Sequence, residues 1–369
     1  MKKVILFLGI AAMLFACSGE SSSSNTDTFD RKGMLENWAD NIIIPSFQNY
    51  QSKTSALATA SATFTTTPTE ANLTALRASW LEAYKAYQKV AAFEVGKAHD
   101  LMFRYYNNSF PVSVSDINAN IAAGDNQLDL LTKFDEQGFP ALDYLLFGVG
   151  NDTASILAKY TTDTNAAKYK SYLMAVSTRI KSFSDLIVAD WTTGGYRTAY
   201  VLNNGTGVSS STNKTINLFV QYYEYYLRSV KIGFPAGKFS ATTRPSDVEA
   251  YYKNDISKEL LEIGLQSSKD FFNGKHFNST TTGLSLKAYL DYLNVVRSGE
   301  SLSTTILSKY AEASTSIGVL NASFSQQIQT DNTKMLAAFD ALQKNVVCFK
   351  IDMIPALNVV IDYQDNDGD

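Results

Sequence analysis

The chain has 369 residues, 45% of them hydrophobic, which is enough for two domains with substantial cores. Its 32 basic and 36 acidic side chains leave a formal charge of -4, and no basic cluster is interleaved with aromatic residues, so nucleic acid is excluded as a partner. Only two cysteines occur, Cys17 and Cys348, which excludes a disulfide-stapled scaffold.

Lys2 and Lys3 open the chain, residues 4–15 form an apolar run too short to cross a bilayer, and Leu14, Phe15, Ala16 and Cys17 read as a lipobox. This pattern predicts a lipoprotein signal peptide over 1–17, with Cys17 acylated at the head of the mature chain. Each buried methylene of a lipid chain contributes about 0.8 kcal/mol, so several chains hold such a protein firmly on a membrane. The expected location is the cell envelope, at the outer membrane, and the expected partner is the membrane itself through Cys17. The Ser-rich stretch 18–28 reads as a flexible tether. Once Cys17 is modified, Cys348 has no partner; between Val347 and Phe349 it reads as a buried structural thiol.

The folded part is expected to be all-α. Thr67, Pro68 and Glu70 spell a capping box, and Leu73, Leu76, Trp80, Tyr84, Tyr87 and Val90 follow at helical spacing, with a stop near Gly96. The segment 137–148, QGFPALDYLLFG, predicts a glycine turn at Gly138 and then a helix with Pro140 in its first turn. Its first turn is expected at the surface and its apolar run, ending at Phe147, in the core. A polar, Gly- and Ser-rich stretch over 192–214 places a boundary near Asn204, dividing the chain into bundles over 29–203 and 204–369. Ser246 and Glu249 read as a second capping box, for a helix through Leu260, Leu261 and Leu265 that ends by Gly274. Another helix carries Met335, Leu336, Phe339, Leu342, Val346 and Phe349 up to a break or kink at Pro355. Strands find little support. The tetrapeptide GFPA recurs at Gly138 and Gly233, which fits two related bundles with mirrored turns.

Chemistry-bearing residues are sparse. His99 and His276 are the only histidines and neither stands in HExxH or HxxE, whereas a catalytic zinc needs three protein ligands. His99 is expected at a helix end near Glu94; these two and Asp143 are the metal-ligand candidates. His276 reads as a surface loop residue. Glu224, inside the aromatic run QYYEYY, is a candidate inward carboxylate. The tail DYQDNDGD over 362–369 fails the spacing of a calcium loop and reads as a solvated acidic terminus.

The frame of residues 137–148 resembles the GxHxxE signature of the imelysin-like family, also known as the insulin-cleaving membrane protease family. Pro140 stands at the histidine position and Asp143 at the glutamate position. His and Glu three apart share a helix face and can converge on one ion; proline offers no donor. The resemblance extends to Asn41–Pro45, to PTEANLTALRASW over 68–80, to KIGFPAG over 231–237, to the segment holding Glu249 and to the acidic tail. It implies two helical bundles in a bacterial envelope protein. It also implies a role tied to iron or haem uptake systems, with iron or another divalent metal as the implied cofactor, or metallopeptidase activity. The altered motif favours a non-catalytic ligand- or metal-binding protein; the alternatives are a metallopeptidase and a metal-free module for a peptide, glycan or protein. The expected binding site is a cleft between the bundles lined by Gly138, Pro140, Asp143, Lys231 and Glu249.

Overall fold

The computed structural model describes residues 27–363. The signal peptide, Cys17, most of the tether and tail residues 364–369 lie outside the described residues. Their regular structure is helical, apart from a short hairpin pairing Val296–Arg297 with Glu300–Ser301 and a single bridge between Lys275 and Thr282.

Long amphipathic helices build the molecule by burying one stripe each. Glu70–Gln88 buries Leu73, Leu76, Trp80, Tyr84 and Tyr87, the residues that the helical spacing singles out. It lies against Ile44–Thr66, which packs in turn on Ala166–Thr192. Between those last two helices small hydroxyls meet at close approach, Thr54 with Ser184 at 2.8 Å and Ser61 with Ser177 at 2.8 Å. In the second half Phe324–Val347 packs on Leu302–Gly318 and on the wide-turned helix Tyr222–Gly233. Ser257–Phe272 contacts Glu70–Gln88 and carries the packing from one half into the other.

Several expected boundaries shift. Thr69, not Thr67, caps Glu70–Gln88 by accepting the Asn72 N–H, and Pro68 precedes it. That helix ends at Gln88; Gly96, at φ +60°, precedes a separate single turn, Lys97–Asp100, which holds His99. The stretch 192–214 contains the helix Tyr196–Leu202 and the start of Ser211–Gln221. No helix starts at Ser246. The chain turns irregularly until Ser257, because the Glu249 side chain reaches into the interior and not back to its own backbone. Pro355 does not break the chain, since a short helix, Ile354–Ala356, takes it in its first turn. The two GFPA copies differ: Gly138 opens a helix at φ +77°, while Gly233 closes one.

The start of the described chain is fastened to the second half. Phe29 stacks on Tyr289 with centroids 4.1 Å apart, and Thr28 bonds the Tyr292 hydroxyl at 2.8 Å. Asp27 and Thr28, assigned above to the tether, are thus part of the packed structure.

Candidate functional site

The altered motif is buried from its first residue. All six residues of Gly138–Asp143 are out of solvent, in contrast to the expected surface turn. Gly138 is required there: its φ is positive, and a methyl group in its place would lie 2.6 Å from the Asn107 carbonyl carbon. Phe139 then stacks on Tyr84 at 4.6 Å, and its carbonyl accepts the Trp80 indole N–H at 3.2 Å. One turn on, Asp143 is 1% exposed, and each of its oxygens accepts a backbone N–H, Oδ2 from Tyr252 at 2.8 Å and Oδ1 from Lys253 at 2.9 Å. Burial pushes its pKa up from 3.8 to about 7, against the opposing pull of those two N–H groups.

The loop that Asp143 holds also carries Glu249. This carboxylate is ion-paired to Lys231, and its Oε1 accepts from Gln88 Nε2 at 2.9 Å and from Asn108 Nδ2 at 2.8 Å. Lys231 donates a further bond to Gln88 Oε1 at 2.9 Å, and Tyr84 donates to Asn108 Oδ1 at 2.5 Å. Burial lowers the Lys231 pKa and the Glu249 charge opposes that fall. Asp143, Glu249 and Lys231 therefore converge on one polar seam between first-half and second-half segments. A cavity of about 200 Å³ adjoins it, lined by Pro140, Asp143, Val248 and Tyr252 among others.

A metal ion does not fit this seam. Pro140 has no donor, both Asp143 oxygens are taken by N–H groups, and Glu249 is engaged by three side chains. Among the described residues no three His, Cys, Asp or Glu side chains are grouped to hold an ion.

The other metal candidates lie elsewhere. Glu94 is buried against Arg104, accepting its backbone N–H at 2.8 Å and its guanidinium at 2.7 Å. Glu94 and His99 both line a larger cleft of about 960 Å³, which Asp143 does not reach. His276 borders a separate cavity of about 900 Å³ beside Lys89 and Phe277. Glu224 does point inward, accepting from Lys350 at 3.0 Å and from the Tyr363 hydroxyl at 2.8 Å. Cys348 is buried, with the Arg297 guanidinium 3.1 Å from its sulfur; burial raises its pKa. Gln88, Asn108 and Arg104 escaped the sequence reading. The available signal was a polar residue at helical spacing on a buried stripe, as with Gln88 four residues after Tyr84.

The family model for imelysin, of the M75 peptidase group, matches residues 43–347. No curated protein matches the chain significantly. Among solved structures, a putative iron-regulated protein A precursor from Parabacteroides distasonis superposes with a TM-score of 0.71 at 17% identity, covering 87% of this chain and 93% of its own. An imelysin-like protein from Psychrobacter arcticum gives 0.67 at 18% identity, covering 90% and 97%. These two likenesses are likenesses of fold, and the matched span decides the rest: the chain belongs to the imelysin family.

Proposed function

We propose that this chain is a non-catalytic, ligand-binding lipoprotein of the cell envelope that serves iron acquisition. One observation carries the non-catalytic part: at the motif positions stand a proline and a buried aspartate whose two oxygens are both satisfied by backbone N–H groups. A hydrolytic metal needs an open coordination position and ligands free to fill the others. Here the donors are spent on holding the 246–256 loop. The iron part is supported by the name of the Parabacteroides neighbour, and the envelope part by the lipobox ending at Cys17.

Peptide cleavage and iron binding separate this reading from a peptidase. The purified mature chain should leave a mixed peptide library intact with zinc present, and should bind an iron source in equilibrium dialysis. Chelator-sensitive cleavage restored by zinc would refute it, as would no affinity for ferric ion, ferric chelates or haem.

A further inference from the structure

One end of the second-half bundle is built from helix ends. Helices Tyr196–Leu202 and Leu286–Tyr292 finish there, Ser211–Gln221 and Leu302–Gly318 start there, and the chain beyond Val347 turns back there. Contacts knit these ends together: Arg31 donates to the Asn204 carbonyl and to the Tyr289 hydroxyl, both at 3.0 Å, Arg297 pairs with Asp352, and Asn217 donates to the Val360 carbonyl at 2.8 Å. Leu202, Val208, Tyr292, Val296, Ile351 and Val360 are all exposed on this pole, each from a loop or the last turn of a helix. They are nearly half of the exposed large hydrophobic side chains among the described residues, a gathering that marks a contact face and not the scatter of an ordinary surface. The ionic side chains among them pair with one another, Arg31 with Asp27 at 2.6 Å, Lys287 with Asp291 at 2.6 Å, and Arg297 with Asp352. Little net charge therefore opposes contact with an apolar surface.

The length of the tether says what lies against this pole. Only residues 18–26 separate Cys17 from Asp27, and a fully extended chain between the two spans at most about 36 Å. Asp27 is itself fastened to the pole by Arg31 and by the Tyr289 hydroxyl. We propose that the pole rests on the lipid surface that holds Cys17, with Leu202, Val208, Tyr292, Val296, Ile351 and Val360 seated among the headgroups and upper acyl chains. The inference rests on the lipid anchor proposed above and deepens it. A tethered face meets the bilayer at high effective concentration, so partial burial of a few side chains is enough to hold it there. Because the charges on the pole are paired among themselves, the contact needs no anionic lipid. The polar seam is then turned away from the membrane: Lys231 lies at the far end of the helical stretch that begins at Ser211, about 30 Å along its axis.

Val296 and Val319 flank opposite ends of the 17-residue helix Leu302–Gly318 and are equally exposed, 64% and 63%, so they make a matched pair. With Cys17 acylated and Cys348 buried, Val296→Cys, Val208→Cys and Val319→Cys each offer one accessible thiol to a fluorescent dye. The full lipidated chain is placed in phosphatidylcholine vesicles whose lipids carry bromine on the upper acyl chains. Dyes at positions 296 and 208 should be quenched about threefold more strongly than a dye at 319. Ile351→Asp together with Val360→Asp should bring the dye at 208 down to the level at 319, with the melting temperature unchanged, since both side chains are exposed. Equal quenching at all three positions, or indifference to the double substitution, overturns the proposal. Mass spectrometry of the N-terminal peptide separates the two readings. A Cys17 without lipid refutes the anchor and this proposal with it, whereas a lipidated chain with an unquenched pole refutes the proposal alone. Dyes at 296 and 208 that bromine leaves bright, but that a water-soluble quencher cannot reach in native membranes, would give the face to a protein partner. A dimeric Cys17→Ala chain with both dyes shielded would give it to a second copy; either result overturns the membrane assignment.

Discussion

Asp143 is a buried carboxylate whose two oxygens each accept a backbone N–H. Its folded pKa of about 7 lies above the ordinary 3.8, so between those values the folded chain holds a proton that the unfolded chain releases. Stability falls with pH wherever the folded state binds more protons, so Asp143 contributes a decline from about pH 4 to about pH 7. Asp143→Asn should flatten that part of the stability–pH curve. At pH 5 it should cost about 1–3 kcal/mol, because an amide offers one acceptor to two N–H groups. Urea melts of both chains from pH 4 to 8 measure slope and offset together. The Lys231–Glu249 pair makes a second test at this scale. Lys231→Met or Glu249→Gln alone should destabilise by about 3–5 kcal/mol, since each strands a buried charge, and the double variant should cost less than the sum. Additive costs in such a double-mutant cycle would mean that the two groups are not coupled.

At the scale of elements, the seam depends on where helices begin and end. Gly138 must adopt φ +77° to bring Phe139 under Tyr84 and Asp143 under the 252–253 backbone. Gly138→Ala should cost at least 2 kcal/mol or so, more than an ordinary glycine replacement, because strain and a clash with the Asn107 carbonyl add. Thermal unfolding compares it with Gly318→Ala, where nothing stands within 4 Å; an equal loss at both sites would contradict the account. Pro45 illustrates the complementary case. In the first turn of Ile44–Thr66 it has no N–H for the Asn41 carbonyl, and that carbonyl accepts the Phe277 N–H at 2.8 Å. A proline in a sequence signature thereby ties the first long helix to a second-half loop. Helix interiors were legible because an apolar stripe needs only a repeat of three and four residues. Starts were less so: Ser246 with Glu249 has the letters of a capping box, but a buried lysine competes for the glutamate and wins.

For the whole molecule, the lipobox sets the expected arrangement: a helical body held at a membrane by Cys17. In cells grown with labelled palmitate, Cys17→Ala should lose the label and move to the soluble fraction; a labelled variant would disprove the anchor. The body itself is closed by contacts far apart in the chain, Phe29 on Tyr289, Gln88 on Lys231 and Asp143 on Tyr252. Periodicity, glycine and proline constraints and donor chemistry are local properties, so the order of residues alone carries the all-α class, the main helices, the family and the loss of the histidine ligand. It also pointed to Asp143, Lys231 and Glu249. Packing in three dimensions is what joins these in a hydrogen-bonded seam, spends Glu94 on Arg104 and leaves Asp100 and Asp190 without side-chain partners among the described residues. Whether a polar group is satisfied depends on partners far away in the chain, 161 residues for Gln88 and Glu249 and 264 for Thr28 and Tyr292, and no local pattern records them.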